Sequence, residues 1–308
     1  MGTYIARRVL LVIPTILAVY TITFVLMHAT PGGPWDDADK PLPPQVIANL
    51  NAKYHLNDPL WKQYVEYLTD ALHGNLGPSY TNTSRTVNDI IRDFFPVSIQ
   101  LGLVALALGT VLGLSLGVTA ALHQNTWIDY TAMFAAVVGI ATPSYVMATL
   151  LIYLLALEAH LVPTSGWGGV FNSRIIIPAL ALCLGPAASL ARYTRSAVLE
   201  VLRQNYVVTA RAKGLRERTV IARHVLKNAL IPVVTIAGLL LANIITGSFF
   251  VETISGVPGI GRYFVTAATG RDYPVLMALT LLFAFLVIVA NLLVDIAYGF
   301  LDPRISYA

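Results

Sequence analysis

The chain has 308 residues, of which 56% are hydrophobic and only 12% are charged. Soluble domains carry about twice that share of charged residues, which excludes an ordinary soluble globular protein. The formal net charge of +4 does not indicate nucleic acid as a partner, because the basic residues are concentrated in a few segments, where membrane topology explains them.

Six apolar segments without any Asp, Glu, Lys or Arg follow one another along the chain. About 20 such residues cross the hydrocarbon core of a bilayer as a helix, a conformation that satisfies the backbone hydrogen bonds there. The sequence therefore predicts an all-α, polytopic integral membrane protein with about six transmembrane helices. The predicted spans are Val9–Met27, Val97–Leu122, Tyr130–Leu157, Ile175–Ala191, Ala229–Val251 and Tyr273–Val294.

The first and fourth segments require further argument. Arg7 and Arg8 precede the first segment as they would precede a signal peptide, but its apolar run is longer than a signal sequence requires and no A-x-A cleavage site follows. We therefore expect residues 1–30 to be an uncleaved anchor helix. The fourth segment has only about 17 residues, at the lower limit for a span, and Gly185 and Pro186 interrupt it.

Residues 31–96 are too polar to cross a membrane and too long for a simple connection between two helices. Part of this region has the pattern of an amphipathic helix, with Asn57 or Asp58 suited to cap it and Pro59 suited to its first position. Gly74 is suited to its end. The apolar residues of its one face are Trp61, Tyr64, Val65, Leu68 and Leu72. We expect a small extracytoplasmic cap, whose helix either packs on the spans or docks a partner.

The positive charge of the chain is concentrated between the fourth and fifth predicted spans. Residues 192–227 contain nine Lys and Arg residues and only two Glu residues. Because cytoplasmic loops of membrane proteins are enriched in Lys and Arg, this segment is predicted to be cytoplasmic. An even number of spans then places both termini in the cytoplasm, in agreement with Arg7 and Arg8, and residues 31–96 on the outer side.

Residues 192–228 have the pattern of a helix–turn–helix hairpin. Gly214 is placed to end a first helix in a left-handed conformation, and the small residues beside it allow another surface to approach closely. The helical stripe of the first arm comprises Val198, Val201, Leu202, Asn205 and Tyr206, and that of the second arm comprises Val220, Ile221, Val225 and Leu226. We interpret the hairpin as a docking element, and the alternative is a solvated basic loop that only fixes the topology.

Several short strings, each at the matching topological position, resemble the inner-membrane permease subunits of the dipeptide/oligopeptide branch of ABC importers. One of them, Ala210-Arg-Ala-Lys-Gly-Leu215, is similar to that branch's form of the cytoplasmic EAA loop. The wider importer motif has Glu, Ala and Pro where this chain has Val208, Thr209 and Lys227, so no role of that Glu is carried over. The other strings are Tyr4-Ile-Ala-Arg-Arg8, Ile13-Pro-Thr15, Pro31-Gly-Gly-Pro34, Phe250-Val-Glu-Thr-Ile254, Pro258-Gly-Ile-Gly261, Arg271-Asp-Tyr-Pro274, Asn291-Leu-Leu-Val-Asp295 and Leu301-Asp-Pro-Arg304.

The resemblance implies the type I ABC importer permease architecture in a prokaryotic plasma (inner) membrane, with a permease core over residues 97–302 and a cytoplasmic tail over residues 303–308. It implies a second homologous permease subunit, which completes the path for di- or oligopeptides delivered by an extracytoplasmic binding protein. It also implies two ATPase subunits, which bind ATP and Mg and dock on the hairpin. The residues implied in this coupling are Tyr206, Thr209, Ala210, Arg211, Ala212, Lys213, Gly214 and Leu215.

The chain itself lacks the motifs of a catalyst. A phosphate-binding loop requires a Gly-Lys pair, which the sequence does not contain, so ATP hydrolysis is expected in partner subunits and no cofactor is expected in this one. The six His residues are scattered without the spacing of a metal site, and the single Cys183 excludes a disulfide within the chain. We predict a non-catalytic subunit without a bound metal.

Polar residues within the predicted spans are candidates to line a path, because polar groups are costly in hydrocarbon. These candidates are Gln100, Asn243 and Asn291, for which interhelical hydrogen bonding is the alternative role. Two helix interruptions, Thr142-Pro143-Ser144 and Gly185-Pro186, lie at similar depth. No charged residue lies deep in a span to hold the termini of a zwitterionic peptide, so we expect selection by charge to occur in the binding protein.

Other functions remain open on the sequence alone. Similar chains carry nickel chelates, glutathione or oligosaccharides on the same scaffold. An ATP-independent secondary transporter would show inverted repeats and deep ionisable groups, and the sequence shows neither. A membrane enzyme would require a catalytic cluster, and none is legible.

Overall fold

The computed structural model describes residues 2–35, 43–230 and 249–301, together with Val233, Ile236, Ala237, Leu240 and Ile244. This described part is built from α-helices and contains no β-strand. Four of its helices are long and apolar enough to cross a bilayer, and one bent pair of shorter helices would be a fifth span. The predicted all-α, polytopic architecture is confirmed, while most of the predicted span Ala229–Val251 lies outside the described residues.

The N-terminal helix α1 (Gly2–Ala29) is followed by two shorter helices, α2 (Pro44–Lys53) and α3 (Leu60–Leu72). Pro59 is the N-cap of α3 and not its first residue, and neither predicted capping side chain bonds to the helix end. Asp58 instead accepts a hydrogen bond from Lys62 Nζ at 2.8 Å. Gly74 follows the end of α3 with a φ of 80°, as predicted.

Two residues of the predicted apolar face of α3 are partly buried. Tyr64 and Leu68 pack against Tyr20 of α1, whose hydroxyl donates to the carbonyl oxygen of Tyr64 at 2.6 Å. The remaining residues of that face, Trp61, Val65 and Leu72, are exposed. The cap helix therefore packs on the first span through one side and leaves an apolar side uncovered within this chain.

The second span belongs to a 36-residue helix, α4 (Val87–Leu122), which begins well before the predicted start at Val97. Thr86 and Asp89 form a capping box, in which the Asp89 N–H donates to Thr86 Oγ1 at 3.2 Å and the Thr86 N–H donates to Asp89 Oδ2 at 3.1 Å. The predicted boundary between outer region and membrane core therefore falls inside one continuous helix.

The third predicted span, Tyr130–Leu157, is two helices and not one. Helix α5 (Trp127–Ala141) is bent by 105° from helix α6 (Ser144–Leu151), which continues as π-helical turns to Glu158. Pro143 lacks a backbone N–H and disfavours a helical conformation in the residue before it, so Thr142 is extended with a ψ of 119°. The interruption predicted at this Thr-Pro-Ser sequence is a true break.

The fourth span is much longer than predicted. Helix α7 (Ile176–Leu202) continues past the predicted end at Ala191, and it passes through Gly185 and Pro186 without ending. It is the most buried of the long apolar helices described. Because α7 is surrounded by other helices, its sequence does not need the uniform apolar character by which a lipid-facing span is recognised.

Three glycines on one face of α4 allow α7 to approach closely. A Cβ atom at Gly113 would lie 2.6 Å from the carbonyl oxygen of Ala187, and one at Gly117 would lie 2.5 Å from that of Ala191. Gly109 faces Cys183 and Pro186 in the same way. Small residues at every fourth position are typical of close helix pairs in membranes, and this spacing is legible in the sequence.

The chain continues through α8 (Asn205–Ala212), α9 (Glu217–Thr219, extended by π-helical turns to Leu226), α10 (Phe249–Ile254), α11 (Ile260–Thr269) and α12 (Tyr273–Leu301). Glu252 lies just beyond the end of the predicted fifth span and is fully buried. Its Oε2 accepts a hydrogen bond from the Gly261 N–H at 2.8 Å, which ties α10 to the start of α11. The structure thus explains why the Phe250–Ile254 and Pro258–Gly261 strings occur together.

Asp272 is another buried carboxylate and connects the outer region to α12. Its Oδ2 accepts hydrogen bonds from the hydroxyl of Ser79 and from both the N–H and the hydroxyl of Thr81. The neighbouring Arg271 donates to the carbonyl oxygen of Gly33 at 3.3 Å. The Arg271–Pro274 string therefore fixes the cap to the entry of the last span.

Candidate coupling hairpin and membrane cavity

The basic segment forms a hairpin of two helical arms after α7. Helix α7 ends at Leu202, and α8 begins at Asn205 after a turn in which Gln204 is extended with a ψ of 143°. The stripe predicted to continue from Val198 to Tyr206 is therefore broken at this turn. The second arm, α9 with its π-helical turns, returns alongside α8.

Gly214 makes the turn between the two arms. Its φ is 76°, the left-handed conformation predicted for this position, and its N–H donates to the carbonyl oxygen of Arg211 at 2.9 Å. No heavy atom of the described chain lies within 4 Å of the position that a Cβ would take. Within this chain, a glycine is thus favoured at position 214 because of the left-handed backbone angle, and not because neighbouring atoms leave no space for a side chain.

An ion pair closes the same turn. Arg211 donates from Nη2 to Glu217 Oε1 at 2.6 Å and from Nε to Glu217 Oε2 at 3.2 Å, in a bidentate arrangement. These hydrogen bonds lower the pKa of Glu217 and raise the pKa of Arg211. Both side chains are well exposed, so the pair orders the turn more than it stabilises the chain.

A small apolar core holds the arms together. Val207 and Ala210 of α8 pack against Val220 and Val225 of the second arm, and the cluster also includes Val198 of α7. The two valines of the second arm are five residues apart, a spacing that π-helical turns bring to one face. Ala210 was predicted as a docking residue, but it is 5% exposed and belongs to this core.

The other predicted coupling residues lie on the exposed side of the hairpin. They are Tyr206, Thr209, Arg211, Ala212, Lys213, Gly214 and Leu215. Val208, which sequence reasoning did not include, is 56% exposed between them. The Tyr206 hydroxyl accepts a hydrogen bond from Asn228 Nδ2 at 3.0 Å and is fixed by it. This surface combines basic and apolar side chains on an ordered scaffold.

A buried ion pair joins α7 to α5 near the hairpin. Arg195 donates from Nε and Nη2 to the two carboxylate oxygens of Asp129, at 2.6 and 2.7 Å. The backbone N–H of Asn125 also donates to Asp129 at 3.0 Å. Such a bidentate pair holds the first turn of α5 in a fixed position on α7.

Two of the three predicted path residues lie on different helices of the described chain. Gln100 is exposed on α4, and Asn291 borders a groove between α12 and α1 that also includes Arg8 and Thr15. Asn243 lies outside the described residues. Over the described ranges, no three His, Cys, Asp or Glu side chains are close enough together to hold a metal ion.

A cavity of about 330 Å³ lies at the helix break instead. Thr142, Pro143 and Ser144 of the break form one wall, and Gly185, Pro186 and Ser189 of α7 form another. Leu240 and Ile244 of the predicted fifth span also border it. Non-helical backbone at membrane depth occurs where it is buried in protein or lines a cavity, and both interruptions named from the sequence meet here.

Comparison with known proteins finds similar sequences along nearly the whole chain. The profile of the family "Binding-protein-dependent transport system inner membrane component" matches residues 113–307, and that of its N-terminal part matches residues 1–102. The oligopeptide transport system permease protein OppB of Escherichia coli (strain K12) is 47% identical over 99% of each chain. The dipeptide transport system permease protein DppB of Bacillus subtilis (strain 168) is 45% identical over 99% of this chain and 98% of its own.

Solved structures share the fold at lower identity. A chain of an amino acid ABC transporter crystallised with histidines has a TM-score of 0.54 at 16% identity, covering 68% of this chain and 92% of its own. A chain of the inward-facing MetNI methionine ABC transporter has a TM-score of 0.53 at 17% identity, covering 67% of this chain and 93% of its own.

Proposed function

The chain belongs to the family of binding-protein-dependent transport system inner membrane components, and from this we propose that it is a permease subunit of an ATP-driven importer of di- or oligopeptides. The observation that carries the substrate class is the full-length similarity to permeases named for oligopeptide and dipeptide transport. Membership also makes the chain a multi-pass inner-membrane protein that works with other transporter subunits.

The proposed assembly contains a second homologous permease, two ATPase subunits that bind ATP and Mg, and an extracytoplasmic binding protein. The large exposed side chains of α5, such as Trp127 and Phe134, would contact either the lipid bilayer or the second permease. The concentration of Lys and Arg in residues 192–227 supports cytoplasmic placement of the hairpin and of both termini.

The exposed side of the hairpin is the proposed docking surface for an ATPase subunit. Its turn is ordered by the Arg211–Glu217 ion pair and by the left-handed Gly214, and its arms are held by their own apolar core. A merely solvated basic loop would not need this internal order. Docking through Tyr206, Val208 and Leu215 would bury apolar surface that this chain leaves exposed.

The cavity at the helix break is the proposed part of the path contributed by this chain. Among the described residues, no charged side chain lines it, and the polar groups described there are the hydroxyls of Thr142, Ser144 and Ser189 with the backbone of the break. Such a surface makes no strong selection among peptide side chains. This supports a permissive path.

Reconstitution of the complete importer tests the proposal. Proteoliposomes containing this chain and its companion subunits should accumulate labelled trialanine only with ATP inside and binding protein outside. Nickel chelates, glutathione and oligosaccharides should not compete. Uptake of one of these compounds in place of the peptide would overturn the substrate assignment, and uptake without ATP would overturn the importer class.

A further inference from the structure

A second cavity, of about 340 Å³, lies between the outer cap and the spans. Helix α3 and the segment around Gly77 and Tyr80 form its outer side, and the end of α1 with the start of α12 forms its inner side. It is separate from the cavity at the helix break, with which it shares no lining residue. The proposed function gives this cavity no role.

Four tyrosines give this cavity an aromatic wall. Tyr54 and Tyr80 have ring centroids 4.7 Å apart, and Tyr80 also lies beside Tyr273 at 6.4 Å. The Tyr67 hydroxyl donates to the carbonyl oxygen of Pro274 at 3.2 Å, which fixes that ring. Burial raises the pKa of both Tyr67 and Tyr80, so both rings remain neutral at physiological pH.

The charged groups at this cavity are mainly negative. Glu66 and Asp70 lie one helical turn apart on α3, and the buried carboxylate of Asp272 lies behind the wall, close enough to influence Tyr67 and Tyr80. Among the described lining residues the ammonium group is that of Lys53, whose Nζ lies 5.1 Å from the centroid of the Tyr54 ring, and Lys62 pairs with Glu66 from outside at 3.6 Å. The Asp, Glu and Lys side chains of the described lining, two carboxylates and one ammonium, sum to a charge of −1.

The faces of tyrosine rings and nearby carboxylates together favour the binding of a cation. A quaternary or primary ammonium gains from the ring quadrupoles and from charge-assisted hydrogen bonds, and Lys53 already shows an ammonium placed over one of these rings. A simple metal ion is a poorer fit, since no set of three metal-ligating side chains is gathered in the part of the chain described here. The volume accommodates one or two amino-acid residues and not a long peptide.

We propose that this outer cavity binds the N-terminal ammonium group of a peptide, with Glu66 and Asp70 as its counter-charges and Tyr67 and Tyr80 as its aromatic wall. The choice of a peptide as the source of the ammonium rests on the proposed function. The permease then holds one end of the substrate on its outer side, before the substrate reaches the uncharged cavity at the helix break.

Binding to the full chain in nanodiscs of phosphatidylglycerol tests this directly, with trialanine as the probe and titration calorimetry as the measurement. Trialanine should bind, and N-acetyl-trialanine should bind at least about tenfold more weakly, because it lacks the charged donor. The double variant Glu66→Gln with Asp70→Asn should show the same loss. Asp93→Asn is the matched control, since that carboxylate pairs with Arg85 away from the cavity and should leave binding unchanged.

A second pair of variants distinguishes loss of the aromatic wall from general destabilisation of the fold. Tyr80→Phe keeps the ring and should bind trialanine normally, whereas Tyr80→Leu should bind it several-fold more weakly at a temperature well below its own melting temperature, where the variant is fully folded. Equal binding of the acetylated peptide, or unchanged binding in the carboxylate variant, would overturn the proposal. Displacement of trialanine by added phosphatidylethanolamine would assign the site to a lipid headgroup and also overturn it. Peptide uptake by the reconstituted importer is measured separately, so failure of the proposed function would appear there even if this binding is found.

Discussion

Gly113 of α4 faces the backbone of α7 and leaves no space for a side chain. A Cβ there would lie 2.6 Å from the Ala187 carbonyl oxygen and 2.7 Å from Leu190 Cβ. Gly185 of α7 is helical as well, but no heavy atom of the described residues lies within 4 Å of its hypothetical Cβ. Both glycines lie inside long helices and differ in how closely the described part of the chain packs on them, so they can be compared as a pair.

We predict different effects for Ala at these two positions. Gly113→Ala should lower the stability of the chain by about 1–3 kcal/mol, because the helices must separate to admit the methyl group. Gly185→Ala should change stability by less than about 1 kcal/mol, because the gain of Ala over Gly within a helix is offset by the contact between the new Cβ and the ring of Pro186 that follows. Thermal unfolding in detergent measures both, and equal melting temperatures would show that the close contact of α4 with α7 is absent in solution.

At the scale of one element, Gly214 determines the shape of the hairpin turn. Gly214→Val should strain the turn by roughly 1–2 kcal/mol, since a β-branched residue resists the left-handed conformation. The variant should be inserted normally, because the hairpin has its own apolar core, but peptide uptake by the reconstituted importer should collapse. Substrate should also no longer stimulate ATP hydrolysis.

Gly214→Asn separates backbone strain from steric exclusion. Asn accepts the left-handed conformation, so it should keep the turn while adding a side chain on the exposed side. If docking requires close approach, this variant should also lose most uptake; if only the turn matters, uptake should be preserved. Normal uptake by Gly214→Val would remove the reason to regard this hairpin as the coupling element.

The Arg211–Glu217 ion pair makes the order of the same turn dependent on pH. Because the pKa of Glu217 is lowered in the folded chain, the contribution of the pair is complete above the ordinary Glu value of about 4.3 and is lost as pH falls through the lowered folded value. A spin label on Lys213→Cys, in a Cys183→Ser background, should have constant mobility from about pH 5 to 8. Mobility should rise in more acidic solution, and Glu217→Gln should be mobile throughout; a label insensitive to both changes would contradict this.

Hydropathy predicted some of the spans accurately and others less accurately. Helices α1, α4 and α12 contain their predicted spans, whereas the predicted fourth span ended at Ala191 because charged residues begin at Arg192, although α7 itself continues to Leu202. Gly214 was placed correctly, since its conformation follows from local backbone chemistry. The turn at Gln204, the burial of Ala210 and the burial of Glu252 depend on contacts between distant segments, which no local pattern contains.

Across the whole molecule, α7 connects the two candidate functional regions. Gly185, Pro186 and Ser189 border the cavity at the helix break, and Val198 of the same helix belongs to the core of the hairpin. The distance from Gly185 to Val198 is about 20 Å along a continuous helix. Arg195 lies between them and holds α5 through Asp129, so a movement of the hairpin would reach both walls of the cavity together.

This arrangement can support transport only if the hairpin and the outer cap lie on opposite sides of the membrane. Thr83 and Arg218 are exposed in these two regions, while the single native Cys183 is fully buried and contributes little background. In a Cys183→Ser background, an impermeant maleimide should label Thr83→Cys in whole cells. Arg218→Cys should be labelled only after the membrane is opened, because the concentration of Lys and Arg in residues 192–227 predicts that this segment is cytoplasmic. Labelling of Arg218→Cys in intact cells would invert the topology, and it would remove both the ATPase docking surface and the outer peptide cavity from the sides on which they are proposed to act.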